Sequence, residues 1–252
     1  MIIYFSGTGN SRYAATLLSR HFGDPHLMHL NAALIAKGEV ELPERVEKVV
    51  WVCPVYAWGL PPVVSKFMSR VKFNRSVPHY LVVTCGDDTG NIDREWRRLM
   101  NNRGIEARGC WSVVMPNVYV TFPGFDTDSS EVATGKLEAV PARIAEIAAG
   151  IKQQSSTTDI VRGRFAGLKS GLIRNFFRRN MMSAKPFRST DACVGCGVCS
   201  RVCPMDNITM TDGHPQWSDD CAFCLACYHH CPTHAVAYGN STRKKGQYIC
   251  PE

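Results

Sequence analysis

The feature that most constrains the fold of this 252-residue chain is a cysteine repeat near its C-terminal end. The stretches CVGCGVCSRVCP and CAFCLACYHHCP each hold four cysteines followed by a proline, with the spacing C-x2-C-x2-C-x3-C-P. Every cysteine of the second motif lies 28 residues after its counterpart in the first, which indicates two copies of one supersecondary unit packed together. The eight repeated cysteines are Cys193, Cys196, Cys199, Cys203, Cys221, Cys224, Cys227 and Cys231.

Disulfides do not explain twelve cysteines in a chain that we expect to be cytoplasmic. No apolar run is long enough to span a bilayer, and the N-terminus lacks the basic, apolar and cleavable parts of a signal peptide. Clustered cysteines in a reducing compartment indicate bound metal. Structural zinc is the weaker alternative, because zinc sites usually pair two closely spaced ligands with two distant ones.

The repeat resembles the motifs of bacterial ferredoxins that carry two 4Fe–4S clusters. The resemblance implies that three cysteines of one motif and the fourth cysteine of the other hold each cluster. One implied ligand set is Cys193, Cys196, Cys199 and Cys231. The other is Cys221, Cys224, Cys227 and Cys203. Exposed clusters of low potential would be sensitive to oxygen, so we expect an anaerobic habit.

The remaining thiols and the nearby imidazoles are not expected to bind metal. Cys53 and Cys110 lie in apolar, strand-like runs and are interpreted as buried small hydrophobes, and Cys250 is interpreted as a tail residue. The cysteines already complete both ligand sets, so neighbouring histidines are interpreted as bystanders. These histidines are His229, His230 and His234.

The N-terminal stretch IIYFSGTGNSRYAATLLSRHF is typical of a strand, a glycine-containing turn and an amphipathic helix. A phosphate at such a turn would meet free backbone N–H groups and the positive end of the helix dipole. The turn lacks the GKS or GKT of a P-loop, and Arg12 stands where a dinucleotide fingerprint needs its third glycine. A simple helix cap is the alternative.

Further strands and helices alternate over about the first 150 residues and predict a doubly wound parallel sheet. Apolar runs occur at KVVWVCPVY, YLVVTCGDD and CWSVVMP, with an early strand near LMHLN. Helix-like segments cover residues 62–70 and 92–103. Ligands of such sheets bind at the carboxyl ends of the strands, near the switch point. The loops PVYAWGLPP and TCGDDTGN fall there.

The turn SGTGNS and these two loops resemble the FMN site of flavodoxins. The resemblance assigns the phosphate to Ser6, Thr8, Gly9, Asn10 and Ser11. It assigns the flavin ring to Pro54, Val55, Tyr56, Ala57, Trp58 and Gly59, and its polar edge to Thr84, Cys85, Gly86, Asp87 and Asp88. Tyr56 and Trp58 could alternatively anchor a strand end. The second ring loop lacks an aromatic residue, so one flavin face is expected to be open.

The whole chain resembles the flavodoxin–ferredoxin fusion proteins of anaerobic bacteria. We therefore predict an α/β, flavodoxin-like FMN domain in residues 1–150 and a small α+β ferredoxin domain with a C-terminal tail in residues 191–252. Residues 151–190 are predicted to link them, and residues 161–190 contain eight Lys or Arg and no Asp or Glu. The favoured interpretation is a helix whose apolar stripe packs across the domain junction. A docking surface for acidic electron carriers comes second, and a helix on a membrane surface third.

These observations predict an electron-transfer iron–sulfur flavoprotein with two 4Fe–4S clusters and FMN, relaying electrons between partners such as ferredoxin or flavodoxin. The alternative is a reductase whose FMN reduces a small organic acceptor, positioned by residues such as Tyr119 or Asp87. No NAD(P) fingerprint and no acid–base pair stand out, so catalytic residues are not assigned. The net charge of +7 is weak evidence for nucleic acid, because the cofactors would add roughly six negative charges. We therefore expect no nucleic-acid partner.

Overall fold

The N-terminal domain is built on one parallel sheet. The computed structural model describes residues 1–23 and 26–251. The sheet has the strand order β2-β1-β4-β6-β7-β8, and every neighbouring pair is parallel. Its strands are β1 (Ile2–Tyr4), β2 (Leu27–His29), β4 (Val49–Pro54), β6 (His79–Cys85), β7 (Ala107–Val114) and β8 (Thr158–Asp159). A separate parallel pair consists of β3 (Glu39–Val40) and β5 (Lys72–Phe73).

Helices cover both faces of this sheet, as the alternating pattern predicted. They are α1 (Asn10–Phe22), α2 (Ala32–Lys37), α3 (Pro62–Arg70), α4 (Ile92–Asn101) and α5 (Ser130–Lys152). Leu18 of α1 and Ile144 of α5 pack on one face of the sheet against Tyr80. Met68 of α3 and Trp96 of α4 belong to the core on the other face. The central strands are buried on both sides, which explains their nearly continuous apolar sequence.

The order of the strands fixes where a ligand can bind. Leaving out the peripheral strands, β2, β1, β4, β6 and β7 follow the 2-1-3-4-5 order of flavodoxin-like folds. The chain direction of the sheet reverses between β1 and β4, and the loops after these two strands diverge there. The predicted fold class and the predicted strands at KVVWVCPVY, YLVVTCGDD, CWSVVMP and LMHLN are confirmed. The last strand, β8, lies after residue 150.

The C-terminal domain is a small α+β unit, as predicted. Its antiparallel pairs are β9 (Phe187–Ser189) with β12 (Val236–Tyr238), and β10 (Ile208–Thr211) with β11 (His214–Trp217). Each cysteine motif begins a short helix at its third cysteine: α8 (Val198–Arg201) and α9 (Ala226–His229). The core between the pairs is aromatic, with Phe187 against Phe223 and Tyr238. A two-fold repeat in sequence therefore becomes a two-fold repeat in structure.

The two domains share a packed boundary. Ala222 of the second motif belongs to the same apolar core as the sheet residues of the first domain. The Ala32 N–H at the start of α2 donates to the carbonyl of Pro204 over 2.8 Å. The expectation that Cys250 is a mere tail residue needs correction, because Cys250 is buried and its N–H donates to the Thr8 carbonyl over 2.8 Å. The tail thus returns to the first domain and fixes the two units together.

The segment between the domains differs from its favoured interpretation. It contains α6 (Ala166–Leu168), a π-helical stretch (Lys169–Ile173) and α7 (Arg174–Asn180), and we call residues 166–180 the basic helix. Its apolar stripe does not pack across the domain junction. The stripe residues, all large and exposed, are Phe165, Leu168, Leu172 and Phe176. No helix in the described ranges is long and apolar enough to cross a membrane.

Polar contacts explain why the basic helix presents its other side to the protein. Arg174 is buried, forms an ion pair with Glu95 and donates a 2.8 Å hydrogen bond to the Leu60 carbonyl. Lys169 pairs with Asp88. Paired cations on the inner side hold the apolar stripe towards solvent, which the helical spacing of the stripe alone could not show.

Candidate functional site

A cavity of about 390 Å³ lies at the carboxyl ends of β1, β4 and β6. It is bounded by the three loops that sequence analysis assigned to a flavin. The predicted residues that line it are Ser6, Thr8, Asn10, Ser11, Pro54, Val55, Tyr56, Ala57, Trp58, Thr84, Cys85, Gly86, Asp87 and Asp88. Gly9 and Gly59 do not line it, since each lies beneath its loop against another side chain.

The first loop carries polar groups suited to a phosphate or ribityl chain. The Ser6 hydroxyl accepts a 3.2 Å hydrogen bond from the Gly9 N–H, and the hydroxyls of Ser11 and Thr84 are 2.7 Å apart. Asn10 donates its amide to the Pro116 carbonyl over 2.9 Å. The Oδ1 atom of Asn10 is buried and accepts no hydrogen bond from any residue that the structure describes. A buried acceptor of this kind fits a ligand that donates a hydrogen bond.

The second loop is a strained turn. Tyr56 and Gly59 exchange two backbone hydrogen bonds, and Ala57 and Trp58 between them have φ of 45° and 59°. Such left-handed conformations cost energy for residues with a Cβ and are typical of binding sites. The basic helix supports the turn, because the Ser170 hydroxyl donates to the Trp58 carbonyl over 2.9 Å.

The third loop is held by a charged network. A Cβ on Gly86 would overlap the Asn117 side chain, so Asn117 packs directly on this loop. The Lys136 ammonium donates to the Gly86 carbonyl over 2.9 Å and to Asp128 over 2.7 Å. Burial would raise the pKa of Asp128, but hydrogen bonds from Lys136 and Asn117 hold this pKa below its usual value. The network keeps Asp128 ionised and fixes the loop.

An aromatic wall completes the cavity, and sequence analysis found only part of it. Trp58 contacts Phe177 at 6.2 Å between ring centroids, Phe177 contacts Tyr119 at 6.4 Å, and Tyr119 contacts Phe125 at 5.4 Å. Tyr119 was among the residues considered for an acceptor, whereas Phe125 and Phe177 carried no motif. Their positions depend on long-range packing of loops and the basic helix. The expected open face is therefore walled by rings from outside the second ring loop.

The ferredoxin-like domain contributes the rest of the lining. Phe223, Cys224 and Leu225, from the second cysteine motif, border the cavity. A Cβ on Gly7 would overlap the Cys224 carbonyl and lie 2.9 Å from the Cys224 Cβ. Only glycine permits so close an approach, which explains a glycine at this position. One implied cluster ligand thus lies at the edge of the implied flavin site.

The first implied set of cysteines gathers around one point. Residues from both motifs line a small cavity of about 10 Å³, including all four implied ligands: Cys193, Cys196, Cys199 and Cys231. Burial raises the pKa of Cys199, and the charges of Cys231 and Cys193 add to the rise. The fourth cysteine of the second motif therefore lies with the first three of the other motif, as the crossed arrangement requires.

The second implied set is also mutually coupled. Burial raises the pKa of Cys224 to about 12, with further contributions from Cys221 and Cys203. The pKa of Cys227 rises for the same reasons. Thiols that oppose each other's ionisation fit a site in which bound iron compensates the thiolate charge. Across residues 1–23 and 26–251, no three His, Cys, Asp or Glu side chains are grouped as a single-ion metal site.

Backbone N–H groups point at sulfur in a pattern that follows the repeat. The N–H of Asn207 donates to the Cys203 sulfur over 3.4 Å, and that of Ala235 donates to the Cys231 sulfur over 3.2 Å. Asn207 and Ala235 are separated by the same 28 residues as the cysteines. Hydrogen bonds to ligand sulfur stabilise negative charge and raise the potential of a cluster.

The histidines near the clusters do not act alike. His229 is buried, its Nε2 atom lies 2.8 Å from the Val118 carbonyl, and its Nδ1 atom accepts from the Tyr248 N–H over 3.1 Å. Burial lowers the pKa of His229 to about 4, so the ring is neutral and connects three segments. His234 is exposed, and His230 contacts the Ala226 carbonyl over 2.9 Å. Their interpretation as bystanders stays a prediction.

Comparison with known proteins supports the iron–sulfur assignment. Residues 179–236 match the family described as the 4Fe-4S dicluster domain. This match covers both cysteine motifs and supports 4Fe–4S binding by the C-terminal domain. No curated protein matches the chain.

Three solved structures illustrate the similarity of the N-terminal fold. A protein of Bacteroides uniformis described as a flavoprotein has 14% identity and a TM-score of 0.36, covering 45% of this chain and 88% of its own. The Trp repressor binding protein of Bacillus subtilis has 12% identity and a TM-score of 0.35, covering 56% and 96%. An FMN-dependent NADH-azoreductase of Bacillus anthracis has 11% identity and a TM-score of 0.34, covering 58% and 98%. The fold assignment rests on the strand pairing of this chain.

Proposed function

We propose that this protein transfers electrons between two 4Fe–4S clusters and one FMN held in the same chain. The observation that carries the proposal is that Cys224, an implied cluster ligand, lines the cavity formed by the three implied flavin loops. When bound, the clusters exchange single electrons and FMN exchanges one or two, so the chain can interconvert the two kinds of traffic.

The positions of the cysteines suggest an order for the two clusters. The set that includes Cys224 borders the flavin cavity and is the proximal one. The set that includes Cys196 is the distal one, because Cys196 and its neighbour Val194 are exposed to solvent. We propose that a redox protein such as ferredoxin or flavodoxin docks near Cys196. Because cluster assembly needs reduced thiols, we place the protein in the cytoplasm.

Cofactor analysis combined with reduction by a partner tests this proposal. The anaerobically reconstituted chain should contain about eight iron atoms and one FMN. A reduced ferredoxin should reduce the bound FMN in the wild type, and this reduction should be lost in Cys196→Ala and in Cys224→Ala. Cys110→Ala is the matched control, because Cys110 is a buried thiol of the parallel sheet far from the motifs in sequence. Unimpaired FMN reduction in both ligand variants would contradict the proposal.

The aromatic wall supports a second candidate function, reduction of a small planar acceptor. Phe177, Tyr119 and Phe125 line the cavity, and such rings stack on flat organic molecules. Burial raises the pKa of Tyr119, so its hydroxyl stays protonated at neutral pH. Steady-state reduction of a quinone that requires the clusters, and that falls in Phe177→Ala, would favour this candidate. Reduction of redox proteins alone would favour the relay.

A further inference from the structure

Four large apolar side chains form an exposed stripe along the basic helix. The fractions of their surface that stay exposed are 70% for Phe165, 51% for Leu168, 74% for Leu172 and 57% for Phe176. With Val161, they account for five of the nine large exposed hydrophobic residues identified in the described ranges. Monomeric proteins seldom display such a contiguous stripe unless it contacts a partner or a membrane.

The positive charges of the same segment divide into two groups. Three of its eight cations are engaged on the inner side: Arg162 with Asp93, Lys169 with Asp88, and Arg174 with Glu95. The other five are exposed: Arg164, Arg178, Arg179, Lys185 and Arg188. No Asp or Glu occurs between residues 161 and 190. The outer side therefore combines apolar side chains with uncompensated positive charge.

The inner ion pairs also prevent the stripe from turning inward. Arg174 is buried between Glu95 and the Leu60 carbonyl, and Ser170 holds the Trp58 loop. Rotating the basic helix to bury Leu172 would expose these buried contacts and leave Glu95 without its cation. Breaking a buried ion pair is strongly unfavourable, so the stripe needs an external partner.

We propose that the outer side of the basic helix binds the surface of an anionic lipid bilayer. The arrangement matches an interfacial helix, in which Phe and Leu enter the headgroup boundary while Arg and Lys contact anionic lipids. A second copy of the chain fits poorly, since antiparallel pairing of two such helices would bring Arg164 of one near Arg178 and Arg179 of the other. An acidic redox protein would satisfy the charge but not the protruding apolar side chains.

Vesicle binding by the intact, cofactor-loaded protein tests the proposal. Vesicles of phosphatidylcholine with phosphatidylglycerol should bind the protein, and vesicles of phosphatidylcholine alone should bind it much more weakly. Raised salt should weaken the interaction. The double variants Leu168→Glu/Leu172→Glu and Arg178→Glu/Arg179→Glu should each reduce partitioning by about tenfold or more.

Val132→Glu is the matched control, because Val132 is an exposed apolar residue on α5, outside the segment. This control should bind like the wild type and should keep the same flavin and iron content as the stripe variants. Three results would overturn the proposal: no binding to anionic vesicles, binding unaffected by both double variants, or a dimer without lipid that Leu168→Glu/Leu172→Glu dissociates. Stripe-dependent binding of an acidic ferredoxin in place of vesicles would also overturn it. Because lipid binding does not require electron transfer, its failure leaves the proposed function unaffected.

Discussion

Gly7 and Cys224 are in direct contact across the boundary between the two domains. The carbonyl and Cβ of Cys224 occupy the space that a side chain on Gly7 would need. Gly7 belongs to the turn implied to bind phosphate, and Cys224 belongs to the motif implied to hold the proximal cluster. A contact between backbones sets the spacing of the two centres more firmly than a contact between flexible side chains would.

Gly7→Ala should therefore disturb both centres. The added methyl must displace the Cys224 backbone or the phosphate turn, and overpacking of this kind should weaken FMN binding by roughly tenfold. Fluorescence titration of the apoprotein with FMN measures this change. Gly135→Ala is the control, because nothing lies within 4 Å of a Cβ built on Gly135 in α5. Equal FMN affinity of the two variants would show that the contact yields without cost.

The buried ion pair of the basic helix should contribute strongly to stability. Arg174→Met leaves Glu95 partly buried without its cation, and we expect a loss of about 3 kcal/mol in the free energy of unfolding. Arg178→Met, at an exposed position of the same helix, should change it by no more than about 0.5 kcal/mol. Urea unfolding followed by tryptophan fluorescence measures both. Adding Glu95→Gln to Arg174→Met should recover part of the loss, and no recovery would argue against the ion pair as its cause.

Buried His79 should make the protein less stable as pH falls. Burial, with a smaller contribution from Arg103, lowers the pKa of His79 to about 3 in the folded state. The unfolded chain has a pKa near 6.5 there and binds the proton first, so the stability contributed by neutral His79 is complete above about pH 6.5 and falls progressively below it. From pH 6.5 to 5.5 the loss should be about 1 kcal/mol.

His79→Asn isolates this effect, because the Asn oxygen can accept the 3.1 Å hydrogen bond that the Trp51 N–H donates to His79. The variant may start from a different stability, but its unfolding free energy should vary less with pH over the same range. An unchanged pH slope would show that His79 does not titrate in the way its burial indicates.

Air should destroy the two clusters in sequence. Cys196 is exposed, whereas no cysteine of the proximal set is. Oxygen and chelators should therefore reach the distal cluster first. Iron release and loss of visible absorbance should follow two phases of similar size, with FMN reduction by ferredoxin lost in the first. One simultaneous phase, or stable spectra in air, would contradict both this order and the expected anaerobic habit.

Local sequence patterns predicted the parts of the site that lie on single elements. The turn at Ser6, the loop at Tyr56 and the loop at Thr84 each follow an apolar strand, and strand ends of a parallel sheet must meet at one edge. The cysteine spacing likewise contains its own geometry. Such features need only neighbouring residues and a known connection rule.

Features that depend on contacts between distant segments could not be predicted in the same way. Phe177 enters the cavity because Arg174, one turn earlier, is anchored to Glu95 far away in sequence. Cys250 is buried because the tail returns to Thr8. The same ion pair reversed the expected orientation of the apolar stripe, since helical periodicity identifies a face but not what covers it.

Flash photoreduction of the clusters by an external photoreductant, in the anaerobic holoprotein, tests the central claim most directly. Cluster reoxidation and FMN reduction should proceed with one shared first-order rate constant that does not change with protein concentration. Such a result would establish electron transfer inside the chain. A rate that increases with protein concentration, or clusters that stay reduced beside oxidised FMN, would contradict it.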